Sequence, residues 1–260
     1  MEQLAGIVLL AVLYAAAFRR VRRRASPWRA ASFALALAIL LGAVLSPIDR
    51  LGEERLFSVH MLQHLLIGDL APLFAVLGLD GPLLRPLLAV APVRRFRVLA
   101  HPLVALPLWA VNLCAWHTTL LYDAALRNDG VHSLQHALFF ACGALVWSAL
   151  LEPLPGPAWF TSARKLLYVG AMWLVSLGLA QFFLWSAHPY YARYAQFHGA
   201  LADQRAGGGV MLVEGTLVML GVVVWLLLRV LAEGERRETL ITSGVPLAAA
   251  ARAARYGRTA

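Results

Sequence analysis

Apolar residues run along this chain in stretches too long for an ordinary soluble helix, separated by short clusters of arginine, proline and acidic residues. A helix that crosses a bilayer needs about 20 mostly apolar residues. By that measure seven segments qualify, at 3–18, 30–46, 58–79, 102–121, 132–151, 165–186 and 207–231. The first is short, and Ala15-Ala16-Ala17 resembles a signal cleavage site. Glu2 precedes its apolar run and five arginines follow it, the reverse of a signal peptide, so it reads as an uncleaved anchor. The pattern predicts an all-α fold, a polytopic membrane bundle of about seven helices over residues 1–231, with a mobile basic tail over 232–260.

Composition supports this. The chain is 60% hydrophobic and 14% charged, with a mean hydropathy of +0.68, whereas a soluble domain is about 45–50% apolar and about 25% charged. The surplus must face lipid, which excludes a soluble enzyme or a nucleic-acid binder despite a formal charge of +9. Of the 23 Lys and Arg, 18 fall in one alternating set of connections: around 19–29, at 85–97, at Arg164 and Lys165, and from Arg229 to Arg258. The other set holds only Arg50, Arg55, Arg127, Arg193 and Arg205. Basic residues mark cytoplasmic loops, so the N-terminus is expected outside and the C-terminus inside. Residues 80–100, with Pro82, Pro86 and Pro92, read as an interfacial segment. Pro153 to Pro157 reads as a helix-breaking turn, and Tyr190, Tyr191 and Tyr194 suit the membrane boundary.

On that topology seven of the eight histidines lie on the outer side, His101 being the exception. His60 and His64 open the third span, and His132 and His136 open the fifth. Residues at i and i+4 stack on one helix face, and two neutral imidazoles so placed can share one metal ion. The pairs also read alike, as His60-Met61-Leu62-Gln63-His64 and His132-Ser133-Leu134-Gln135-His136. Trp116-His117 with Tyr122 is echoed by Trp185, His188 and Tyr191. This suggests two copies of a hairpin, 58–121 and 132–190, each giving a stacked pair and one further ligand, His117 or His188. His101 and His198 read as ordinary packing or surface residues. Gln63 and Gln135 could orient imidazoles, or bond across helices. Asp69 lies near mid-membrane and Glu214 inside the seventh span, where a carboxylate should be paired or protonated. On an ideal helix Asp69 is off the His64 face, leaving it a proton-linked or packing role.

His60 to His64 with the apolar run to Gly78, and above all Leu121-Tyr122-Asp123-Ala124-Ala125-Leu126-Arg127-Asn128 leading to His132 and His136, resemble the CtaG-type cytochrome c oxidase assembly factors of bacteria. Tyr122 and Asp123 in that stretch join Gln63, Gln135, Asp69 and Glu214 as candidates for supporting or proton-linked roles. A family motif before the last span, Asp-Gln-Gln-Leu-Ala-Gly-like, is represented here by Asp203-Gln204-Arg205-Ala206-Gly207-Gly208-Gly209, so that only Asp203, Gln204 and Gly207 match. The resemblance implies a multi-pass plasma-membrane protein that handles copper on its extracytoplasmic side for a haem–copper oxidase. Its partners would then be the bilayer and an oxidase subunit or a copper chaperone. Two other readings fit the histidines: an intramembrane zinc hydrolase with Asp69 as base, and a carrier of haem b on histidines from facing helices.

Overall fold

Helix starts in this chain are set by small polar residues and prolines. Ser46 Oγ accepts the Ile48 N–H, Asn128 Oδ1 the Val131 N–H and Thr161 Oγ1 the Arg164 N–H, while Pro27, Pro47 and Pro102 occupy first helical positions that have no N–H to satisfy. A computed structural model of the chain describes residues 2–21, 26–88 and 97–256, without the side chains of 85–88. Arg22, Arg23, Arg24, Arg94, Arg95 and Arg258 of the orientation count, and residues 89–96 of the expected interfacial segment, lie outside the described residues.

The described chain is all-α. In order come α1 (Glu2–Val21), α2 (Pro27–Leu45), the short α3 (Pro47–Glu54), α4 (Phe57–Leu77), α5 (Gly81–Leu88), α6 (Pro102–Trp116), α7 (Thr119–Arg127), α8 (Asp129–Leu151), α9 (Ser162–Leu184), the single turn α10 (Ala192–Ala195), α11 (Ala200–Thr242) and α12 (Leu247–Tyr256). Six of these, α1, α2, α4, α8, α9 and α11, are long and apolar enough to cross a membrane, and α6 with α7 makes a seventh if the bent pair counts as one span. Large apolar residues such as Leu103, Leu120, Leu167 and Leu217 stand exposed on the outside, as side chains facing lipid would. Inside, Val146, Trp147 and Leu150 of α8 pack with Met172 of α9 and Met219 and Leu226 of α11.

Three departures from the expected elements have local causes. The fourth span stops at Trp116 and turns by 69° into α7, because Thr118 is extended (φ −70°, ψ 147°) and starts a new helix. The last span is far longer than 207–231: α11 has 43 residues, about 65 Å at 1.5 Å per residue, twice the hydrocarbon thickness. The tail expected to be mobile is largely helical over its described residues 232–256, where α12 buries Ala250, Ala253 and Ala254 and Arg255 donates to Glu152 and to the Phe160 carbonyl.

Helix α4 carries a wide turn at Leu66–Leu70, where the Ala71 N–H bonds five residues back to the Leu66 carbonyl. Pro72 has no N–H for the Gly68 carbonyl, so the register widens there. Helix α8 crosses α4 at the same level. A Cβ on Gly143 would overlap the Gly68 carbonyl, so the close approach needs a residue without one.

Candidate metal centre

The pair on α4 and the pair on α8 meet. All four imidazoles are buried, and one ligand nitrogen from each of His60, His64, His132 and His136 lies within 4.8 Å of the others. Nitrogens bound to a single ion at about 2.0–2.1 Å are themselves about 3–4 Å apart, so a small contraction would close the group on one ion.

Hydrogen bonds fix which nitrogen faces inward. His60 Nδ1 donates to Tyr194 Oη at 3.0 Å, and Tyr194 donates to the Gly52 carbonyl at 2.8 Å. Burial raises the Tyr194 hydroxyl well above the ordinary phenol range, so it stays protonated and can do both. His132 Nδ1 faces Glu53 Oε1 at 2.5 Å, and His136 Nδ1 donates to Gln3 Oε1 at 3.1 Å. Each of these three rings therefore presents an Nε2 lone pair to the pocket. His60 Nε2 is 2.8 Å from His64 Nε2. Two lone pairs cannot share that distance without a proton or a metal ion between them. The Nε2 atoms of His132 and His136 have no hydrogen-bond partner, although buried polar atoms are otherwise nearly always paired.

The remaining site candidates divide. His117 is buried against the cluster, its ring centroid 5.8 Å from that of His64. Its Nδ1–H donates to the Leu113 carbonyl at 2.8 Å and its Nε2 is unpartnered. His188, which the repeat equates with His117, is exposed and its imidazole is not brought into the group. The reason is local: α9 ends at Leu184 and the chain leaves the bundle, so that Tyr191 reaches inward instead and donates to the His117 carbonyl at 2.7 Å. Gln63 does not orient an imidazole. Its amide donates to the Ala43 carbonyl and to Asp49, tying α4 to α2 and α3. Gln135 is buried with neither amide atom bonded. Tyr122 stacks on Tyr191 with centroids 3.8 Å apart and bonds Tyr194, walling the pocket. Asp123 is half-buried and outside this network. Asp69 accepts from Trp147 Nε1 at 2.8 Å. The wide turn, which brings residues five apart back onto one side, sets Asp69 in one small cavity with His64, His117 and Glu214, so the ideal-helix placement of Asp69 off that face does not hold.

Gln3 and Glu53 act here without having stood out in the sequence, and Tyr194 and Asp203, read there only as a boundary aromatic and a motif match, act here too. Asp203 caps α4 from across the bundle: its carboxylate accepts the Phe57 N–H at 2.7 Å and the Ser58 hydroxyl at 2.5 Å. Gln204 accepts the Tyr190 N–H at 2.6 Å. A Cβ at Gly207 would stand 2.6 Å from the Phe57 ring. Of the three residues that kept the motif, all in the first turns of α11, Asp203 and Gly207 thus position the start of the helix that carries His60 and His64, while Gln204 holds the connection at His188 and Tyr190.

These features define a polytopic helical membrane protein with four buried imidazoles converging near one end of its bundle. The chain belongs to the cytochrome c oxidase caa3 assembly factor family (Caa3_CtaG), whose model matches residues 12–233. It is also 27% identical to a protein of Mycobacterium bovis and to one of Mycobacterium tuberculosis, each described as uncharacterized, over 79% of this chain and 35% of each relative. The chain therefore spans about a third of the length of these curated relatives. No solved structure matches it significantly.

Proposed function

We propose that this protein binds copper in the four-histidine cluster at the extracytoplasmic end of its bundle and passes it to a haem–copper oxidase during assembly, without catalysing a reaction. The observation that carries the reading is the convergence of four buried imidazoles, of which His60, His132 and His136 turn Nε2 inward because Tyr194, Glu53 and Gln3 hold their Nδ1, with the Nε2 atoms of His132 and His136 left unpartnered. Imidazole suits copper strongly among the divalent metals. Family membership supplies the oxidase, and copper is the cargo. The sidedness rests on the arginine count and on topology: the connections α2–α4, α6–α8 and α9–α11 all close over the cluster and belong to the arginine-poor set.

The geometry favours this reading over its rivals. A zinc hydrolase needs an open position and a free carboxylate near the ion. Here a fourth imidazole takes that position, while Glu53 is held by His132 and Asp69 by Trp147. The rings pack against one another, His132 and His136 with centroids 4.1 Å apart, which leaves no slot for a porphyrin.

The test is a cell that makes a haem–copper oxidase but lacks this chain. Its oxidase should be copper-deficient, and the wild-type gene should restore the metal while a His60→Ala/His132→Ala gene should not. Oxidase with full copper in the deleted cell would overturn the assignment, as would purified protein that carries zinc or shows a haem Soret band. Within the site, Glu53→Gln is expected to weaken copper binding about 10–100-fold, read by competition with a chelator of known affinity. An unchanged affinity would show that Glu53 does not hold His132 for the ion.

A further inference from the structure

We propose a second copper site beneath the first, in which a cuprous ion is held by His64 and His117, so that His64 bridges the two. The argument starts from a cavity of about 60 Å³ inside the bundle, room for an ion with a few small ligands. His64 meets His60 through Nε2 and leaves Nδ1 buried and unpartnered, and His117 leaves Nε2 in the same condition. Both residues line this cavity, and both are more than nine-tenths buried, at 6% and 5% exposure. Their ring centroids are 5.8 Å apart at 87°, much like the 5.6 Å between His64 and His136 in the outer cluster. Two imidazoles bound to one ion at about 2.0–2.1 Å place their ring centres about 5–6 Å apart.

The other walls favour a soft cation. Met61 and Met211 line the cavity and bring thioethers, which with imidazole suit cuprous copper. Asp69 and Glu214 line it as well, facing each other closely enough to share one proton, and no Lys or Arg borders the space. Two carboxyl groups without a fixed counter-cation, at membrane depth, are a place where a positive charge is stabilised. The inner site thus adds a soft, negatively biased position below a nitrogen-only cluster, and the shared imidazole makes exchange between the two a movement of one ligand. This proposal takes the identity of its ion from the copper reading of the outer cluster.

The experiment loads the full chain in lipid nanodiscs with cuprous ion under argon, removes excess with a chelator and counts copper per chain. Wild type should hold two. His117→Ala should hold one. His132→Ala/His136→Ala should also hold one, and X-ray absorption of that copper should show sulfur, lost when Met61→Leu and Met211→Leu are added. Circular dichroism confirms that each variant is folded. One copper in wild type, unaffected by His117→Ala and lost in His132→Ala/His136→Ala, would remove the inner site and leave the outer one standing. Two coppers in His132→Ala/His136→Ala would remove the outer reading instead, and none in wild type would overturn both.

Discussion

Protein with alanine at His60, His64, His132 and His136 is expected to leave purification without stoichiometric copper and to lose its thermal stabilisation by added copper. The expectation follows from where the nitrogens point. In wild type, binding an ion replaces the His60–His64 hydrogen bond with bonds to the metal and gives partners to the unpaired nitrogens of His132 and His136. Those gains exist only in the folded chain, so at a free copper concentration 100 times the dissociation constant the native state gains about 2.7 kcal/mol. The quadruple variant lacks every one of these ligands and should show no shift across the same titration. A cluster that merely packs predicts otherwise, namely a less stable variant with the same small copper content and the same response as wild type. That outcome would end the metal reading, because truncating buried rings costs stability whatever they bind. Copper content and copper-dependent stability therefore have to fail together.

The cluster was legible in the sequence because its pattern is local. Histidines four apart on a helix must share a face whatever the tertiary fold, and both pairs sit at the same end of an apolar run. What held the imidazoles was not legible, because Gln3 is 133 residues from His136 and Tyr194 is 134 from His60, and no periodicity connects such partners. The internal likeness misled at His188: it equates that residue with His117, but one follows a helix that bends back into the bundle and the other a chain that leaves it. Asp69 was placed by ideal helix geometry, which Pro72 and the wide turn before it annul. The spans were readable from hydropathy to within a few residues for α1, α2, α4, α8 and α9. The length of α11 was not, since its polar continuation is helical for reasons of propensity and of packing against α12 that hydropathy does not weigh.

The opposite end of the bundle carries an ion network that sequence reading passed over, and its central carboxylate should be the most expensive single residue to remove. Glu152, the residue that ends α8, lies 16 residues beyond His136, about 24 Å away along the helix. It accepts from Arg255 Nη2 at 2.5 Å and pairs with Lys165 Nζ at 3.0 Å. The Glu152 and Lys165 side chains are 4% and 0% exposed, and that of Arg255 is 8%. Lys165 also donates to the Leu150 carbonyl and Arg255 to that of Phe160, so one acid joins the end of α8, the start of α9 and the terminal α12. Glu152→Ala strands two buried cations at once and should lower unfolding stability by about 3–5 kcal/mol. Lys165→Met should cost much less, because Glu152 keeps Arg255 and a methionine fills the space with no charge to compensate. A protease that cuts near Gly244, between α11 and α12, should act faster on Glu152→Ala, while its copper content at the far end stays at the wild-type level. A larger stability loss in Lys165→Met than in Glu152→Ala would mean that the lysine's hydrogen bond to Leu150, rather than the shared carboxylate, holds this end together.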